Sequence, residues 1–156
     1  MPFEMPVERW AGAVNAVTIG ATQAEGGSRG HTVTVGGETG LPFLSFEGEM
    51  PHRPAIAMEV YDLPPPEVPP PVAEVVGDVC EDPAKWAAKC VEKFGADLIC
   101  LRLAGAHPDR ADRSPEECAR VVKAVLAATP APLIIWGCGQ AEKDNELLVA
   151  VAEAAS

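Results

Sequence analysis

The sequence predicts an α/β protein in which a small N-terminal β-hairpin precedes three consecutive βα units. Three observations carry this. β-Branched alternation is bracketed by glycines before residue 50, long apolar runs alternate with amphipathic stretches after residue 54, and helix-start signals precede two of those stretches. The 156 residues are 47% hydrophobic, and a chain of that size buries about two-thirds of its unfolded surface around a core. We expect residues 1–50 to form the hairpin extension and residues 51–156 the βα units.

The hairpin rests on two short runs, Val17-Thr18-Ile19 and the alternating His31-Thr32-Val33-Thr34-Val35, both rich in the branched side chains that suit a pleated strand. Glu25-Gly26-Gly27-Ser28-Arg29-Gly30 between them, and Gly36-Gly37-Glu38 after them, supply residues that can turn with positive φ. The glycine run looks superficially like a phosphate cradle. It lacks the G-x-G-x-x-G and Walker spacings and opens no helix, so a hairpin turn is the better reading. Leu41-Pro42-Phe43-Leu44-Ser45-Phe46 is expected to follow as an extended segment.

The first parallel strand is expected at Ala55-Ile56-Ala57-Met58-Glu59-Val60-Tyr61. Six prolines follow between residues 62 and 71 (Pro64, Pro65, Pro66, Pro69, Pro70, Pro71). They predict a stiff, polyproline-like connection that continues neither ladder nor helix. A PxxP ligand would carry a flanking basic residue in disordered chain, which this stretch lacks. Asp82 then caps a helix with Pro83 in its first position, Trp86, Cys90 and Phe94 share its apolar face with Ala87 and Val91, and Gly95 ends it. Residues 97–103 read as the second strand. Ser114 with Glu117 makes a capping box for a helix whose buried face is Cys118, Val121, Val122, Val125 and Leu126. Leu133-Ile134-Ile135-Trp136 is the third strand, and a last helix runs from about Glu142 through Leu147, Leu148 and Val151. Such units suit a doubly wound sheet or part of a barrel, and pattern does not choose between them.

Composition removes several function classes. With 23 acidic against 12 basic residues and a net charge of −11, the chain repels phosphate backbones, and no Lys/Arg cluster in the sequence offsets this. Nucleic acid and membrane are not expected partners. No run approaches the ~20 apolar residues of a span, and the acidic, proline-bearing N-terminus is unlike a signal peptide, so a cytoplasmic location is expected. The five cysteines (Cys80, Cys90, Cys100, Cys118, Cys138) form neither a C-x-x-C pair nor a tight run. They read as small buried hydrophobes ahead of disulfides or metal ligands.

In both architectures chemistry gathers at the C-terminal ends of parallel strands. The candidates there are Glu59, Tyr61 and Asp62, then Arg102, Gly105, His107 and Asp109, then Gly137, Cys138, Gly139 and Asp144. Glu59 lies within an apolar strand, where a buried carboxylate needs a partner. A functional role and an ion pair with Arg102 on the next strand satisfy it equally. His107-Pro108-Asp109 offers a ligand or general base, though it is also ordinary turn chemistry. Gly137-Cys138-Gly139 invites a nucleophile, but a catalytic thiol needs a base that the sequence does not identify. No complete catalytic constellation emerges.

Read as collinear strings, the chain resembles a known family. The strings are Thr18-Ile19-Gly20-Ala21-Thr22, Glu25-Gly26-Gly27-Ser28-Arg29-Gly30-His31-Thr32, Val35-Gly36-Gly37-Glu38, Leu41-Pro42-Phe43, Phe46-Glu47-Gly48-Glu49, Arg53-Pro54, Met58-Glu59-Val60, Asp82-Pro83 with Trp86-Ala87, Phe94-Gly95-Ala96-Asp97-Leu98-Ile99, and Gly137-Cys138-Gly139 with Glu142-Lys143-Asp144. Together they resemble the N-terminal half of the small (delta) subunit of the corrinoid iron–sulfur protein of the acetyl-CoA decarbonylase/synthase complex. The resemblance implies a (β/α)8 TIM barrel behind a hairpin, here truncated to its first three βα units. It also implies a non-catalytic role in methyl transfer, in the Wood–Ljungdahl branch of one-carbon metabolism. A cobamide would lie at the interface with the large (gamma) subunit, which would carry the [4Fe–4S] cluster. A methyl-tetrahydropterin methyltransferase and acetyl-CoA synthase would be further partners. Glu59, Asp62, Arg102, His107, Gly137, Cys138 and Asp144 are then the expected cofactor-binding residues, with no catalytic or metal-ligating residue among them. A pterin-binding barrel methyltransferase is the enzymatic alternative, with pterin hydrogen bonds from Glu59, Asp62 and Asp144, and a flavodoxin-like module the blander one. The family's barrel needs about twice this length, so the chain is expected to be a fragment, a truncated product or one piece of a split gene. Alone it is expected to fold poorly or associate.

Overall fold

The computed structural model describes residues 2–155; Met1 and Ser156, the residue at which the expected truncation falls, lie outside the described residues. Strands β1 (Val17–Ile19) and β2 (Val33–Val35) pair antiparallel, with Val17 opposite Val35 and Ile19 opposite Val33. The hydroxyls of Thr18 and Thr34 meet at 2.9 Å across the ladder. Between the strands a short 3-10 turn spans Gln23–Glu25, where the Glu25 carboxylate accepts the Thr22 N–H at 2.8 Å. The hairpin is therefore present, with a shorter second strand than expected. Gly30 donates its N–H to the Pro130 carbonyl (2.9 Å) and the His31 ring donates to the Asp97 carbonyl (3.2 Å), both outside the ladder.

The expected extended segment at 41–46 is instead a pair of turns. Leu44 N–H returns to the Leu41 carbonyl at 2.8 Å and Glu47 N–H to the Leu44 carbonyl at 2.9 Å. Pro42 occupies the position where its fixed φ favours a turn.

A three-stranded parallel sheet follows, in the order β3 (Ala57–Tyr61), β4 (Leu98–Arg102), β5 (Leu133–Trp136). Helix α1 spans Pro70–Val76, α2 Pro83–Phe94, α3 Pro115–Ala128 and α4 Ala141–Ala155. The local signals for α2 and α3 act as expected. The Asp82 carboxylate accepts the N–H groups of Ala84 (3.1 Å) and Lys85 (3.2 Å), and Gly95 ends α2 at φ 67°, where a Cβ would be strained. Ser114 and Glu117 close their box with bonds of 2.8 and 3.3 Å.

Two expectations about helices are corrected. The proline stretch does enter a helix: Pro70 and Pro71 open α1, because the first turn has no intrahelical use for the N–H that proline lacks. Phe94 is 40% exposed rather than part of the apolar face. Four residues advance a helix by about 400°, so two such steps from Trp86 rotate Phe94 roughly 80° off the buried stripe.

The core lies between the sheet and its helices. Val60, Ile99, Leu101, Val122, Val125 and Leu147 are fully buried and mutually packed with Trp86, Ala87, Cys90, Cys118 and Val151. Each large aliphatic side chain contributes roughly 1.5–3 kcal/mol by leaving water. All five cysteines are free, three of them (Cys90, Cys118, Cys138) buried. The alternation of the strands sends Val60, Ile99 and Leu101 to this side, while Ala57 and Glu59 on the other side are exposed and Trp136 is 54% exposed. Glu59 is therefore not the buried carboxylate its apolar surroundings in sequence suggest.

The hairpin closes the N-terminal end of this sheet. The Arg29 guanidinium donates to the carbonyls of Leu126 (2.9 Å) and Thr129 (2.8 Å), satisfying the end of α3 that has no glycine stop. Asp97 accepts the Ile56 N–H at 2.9 Å and pairs with Arg53, holding the linker to the start of β3.

Candidate functional site

Register brings one side chain from each strand into a row at the carboxyl end of the sheet. Tyr61 lies opposite Arg102, and Arg102 opposite Trp136. The Arg102 guanidinium sits 5.6 Å from the Tyr61 ring centre and 5.3 Å from that of Trp136, within the range of cation–π attraction on both sides. Among the described residues this guanidinium makes one hydrogen bond, a long one of 3.4 Å to the Glu59 carboxylate. Tyr61 also stacks on Trp86 of α2 at 6.1 Å, which ties the row to the core.

Asp62, immediately after β3, builds the loop behind the row. Its side chain is fully buried; one carboxylate oxygen accepts the Gly105 N–H at 2.8 Å and the other the Arg113 guanidinium at 2.8 Å. The same Arg113 nitrogen reaches the Asp62 carbonyl at 2.9 Å. Such a pair is satisfied, so it locks the loop at 104–113 onto the end of β3. Gly105 is required there, because a Cβ would fall 2.7 Å from the Asp62 carboxylate.

On that loop His107 Nδ1 accepts the Asp109 N–H at 3.1 Å, which in the neutral ring leaves Nε2 as the nitrogen that carries a proton. Arg110 donates to the Pro64 carbonyl at 2.7 Å, bridging to the proline stretch. After β5, Asp144 in the first turn of α4 accepts the N–H groups of Cys138 (2.8 Å) and Gly139 (2.9 Å). Gly137 leaves the room for this, since a Cβ there would lie 2.4 Å from the Asp144 carboxylate. Burial pushes the Asp144 carboxyl up, but the hydrogen bonds from Cys138 and Gly139 outweigh it and hold the group below the ordinary carboxylate range.

Burial also raises the Cys138 thiol, with the nearby Asp144 carboxylate adding to the shift, and it raises the buried Cys118 to about 11. Neither is an activated nucleophile.

Of the residues expected from sequence, Arg102, His107 and Cys138 line one cleft of about 260 Å³ together with Tyr61, Pro65, Ala104 and Arg110. Glu59 touches it only through Arg102. Asp62, Gly137 and Asp144 shape the loops behind it, their polar groups committed to backbone or to Arg113. Sequence reasoning did not single out Trp136 or Arg110. Trp136 had a usable signal, a large aromatic at the last position of an apolar strand, whereas Arg110 had none. The cleft is rich in donors and aromatic surface and, among the described residues, holds no carboxylate. It can bind acceptor groups and flat surfaces, and it contains no paired acid and base.

A family model described as CO dehydrogenase/acetyl-CoA synthase delta subunit matches residues 16–156. The acetyl-CoA decarbonylase/synthase complex subunit delta of Archaeoglobus fulgidus is 44% identical over 157 residues, covering 98% of this chain and 34% of that protein. The protein of the same name from Methanocaldococcus jannaschii is 38% identical over 155 residues, covering 99% and 38%. That from Methanopyrus kandleri is 38% identical over 142 residues, covering 91% and 35%. The chain thus spans about a third of the length of these relatives, less than the half that barrel length alone suggests.

Proposed function

Since the chain belongs to the CO dehydrogenase/acetyl-CoA synthase delta subunit family, we infer that it is the hairpin and first three βα units of a TIM barrel whose carboxyl edge helps enclose a cobamide. The partner in this reading is the large (gamma) subunit of the corrinoid iron–sulfur protein, which would carry the [4Fe–4S] cluster. The methyl group would come from a methyl-tetrahydropterin methyltransferase and leave to acetyl-CoA synthase, in a cytoplasmic complex. When bound, the cobalt of the cobamide supplies the methyl-carrying chemistry. What this chain supplies is binding and enclosure.

The observation that carries the reading is the row Tyr61–Arg102–Trp136 at the strand ends, with Arg110 and His107 beside it and no carboxylate lining the cleft. A corrin ring is flat and fringed by amide carbonyls, which are acceptors. Half-exposed Trp136 offers a flat face, and Arg102, Arg110 and the His107 N–H offer donors, so the residues present fit the group. The raised thiols and the committed Asp62 and Asp144 are consistent with a support role without a covalent step. They also count against the pterin-binding methyltransferase alternative, which draws on these two carboxylates together with Glu59.

Co-expression of the chain with the large subunit tests this. The expected result is a co-purifying complex with a corrinoid absorption spectrum, and Trp136→Ala is expected to reduce bound corrinoid. A complex that never forms, or one whose corrinoid content ignores Trp136 and Arg102, would overturn the reading.

A further inference from the structure

We propose that the cleft between the 62–65 connection and the 104–110 loop is an oxyanion subsite, with Arg110 and Arg102 as its principal ligands and His107 as a third donor.

The chain as a whole carries a net charge of −11 and scatters its basic residues along the sequence. Folding nevertheless lines this one cleft of about 260 Å³ with two guanidinium groups and an imidazole. Its remaining lining among the described residues is Tyr61, Pro65, Ala104 and Cys138, with no Asp or Glu. Carboxylates do stand nearby, but each is differently placed. Asp62 is consumed by Arg113 and the Gly105 N–H. Asp144 is consumed by the Cys138 and Gly139 N–H groups. Asp109 is almost wholly exposed and lies 3.9 Å from His107 Nδ1. Glu59 holds Arg102 only at 3.4 Å.

Both arginines are held in place yet hydrogen-bond sparingly. Arg110 is held by the Pro64 carbonyl through one nitrogen, and Arg102 by two ring faces and the long Glu59 contact. A guanidinium has five N–H donors, so most of those on Arg102 and Arg110 remain for a ligand. A cleft whose charged lining only donates is complementary to a group that only accepts, such as a phosphate or a carboxylate. Two sources share that chemistry. One is the phosphodiester in the nucleotide tail of a complete cobamide, and in that form the inference rests on the functional reading above. The other is a free small oxyanion.

The first measurement is a titration of the co-expressed complex with inorganic phosphate at low ionic strength, followed by NMR of this chain's Arg and His side-chain N–H groups. Saturable shifts at Arg102, Arg110 and His107 are expected. Arg110→Gln should weaken binding about tenfold, the loss expected for one charge-assisted bond. Glu59→Gln should tighten it, because Arg102 loses its competing carboxylate. That gain cannot be produced by misfolding. Non-saturating shifts, or shifts indifferent to both substitutions, would overturn the proposal.

The second measurement separates the sources, using the co-expressed complex loaded with cobalamin or with cobinamide, which lacks the phosphate-bearing tail. A preference for cobalamin that Arg110→Gln abolishes assigns the cleft to the cofactor tail. Equal retention of both, with phosphate binding intact, assigns it to a free anion. Phosphate binding without any corrinoid in the complex would sink the functional reading and leave the subsite standing. Corrinoid binding with phosphate titrations indifferent to both substitutions would do the reverse.

Discussion

At the N-terminal end of the parallel sheet, Arg29 donates to two carbonyls at 2.8 and 2.9 Å and Arg53 closes on Asp97, so both cations are spent on this chain's own backbone and side chains. At the carboxyl end, among the described residues, Arg102 makes a single 3.4 Å hydrogen bond and lies between aromatic rings, and the Arg110 guanidinium makes one bond to Pro64. Both ends use arginine, a rigid fork of donors, but one end saturates the fork and the other leaves it open. Saturated groups hold a fold together, and pre-positioned unsaturated ones are what a ligand can use.

The sharpest way to break this comparison lies just behind the open end. Asp62→Ala strands Arg113 and the Gly105 N–H, and it should cost about 3 kcal/mol in urea denaturation, as removal of one member of a buried pair does. A cost near zero would mean that the loop is held by something else. Arg29→Met at the closed end should cost about 2 kcal/mol, with the loss confined to stability. Gly137→Ala drives a Cβ into the Asp144 carboxylate and should cost about 1–3 kcal/mol by overpacking. If the Asp144→Ala background removes most of that penalty, the clash is its cause.

Trp136→Ala should cost less than about 1 kcal/mol in the same assay, since the ring is 54% exposed, while lowering ligand binding. Equal stability losses at Arg29 and Trp136 would erase the distinction between the ends. The smallest effect concerns acid. Hydrogen bonding to Arg53, reinforced by the Ile56 N–H, lowers Asp97 from 3.8 to about 2. Its folded value is depressed, so its contribution is present above about pH 4 and is lost as pH falls toward 2. Asp97→Asn should lower thermal stability above about pH 4, where the wild-type contribution is present, and flatten the acid limb of the profile, so that the two proteins converge as pH falls toward 2.

Much of the local architecture was legible. Asp82-Pro83, Ser114 with Glu117, Gly95 and the run 133–136 each announce an element through contacts within a few residues, and each stands where expected. The turn at 41–46 and helix α1 were not legible, because proline fits a turn and a first helical turn as readily as an extended connection. Glu59 misled for a different reason. An apolar strand reads as buried on both faces, but helices α2–α4 pack with the side of the sheet that holds Val60, Ile99 and Leu101, and Glu59 points to the other.

The hairpin, the capped helices, the order of the βα units and the family follow from neighbours in the chain or from collinear strings. That Tyr61, Arg102 and Trp136 form one row, that Asp62 is spent on Arg113, and that Arg110 joins His107 at a cleft follow from the assembled fold. Those relations join residues tens of positions apart through strand register and loop packing, and neither is written in local preference.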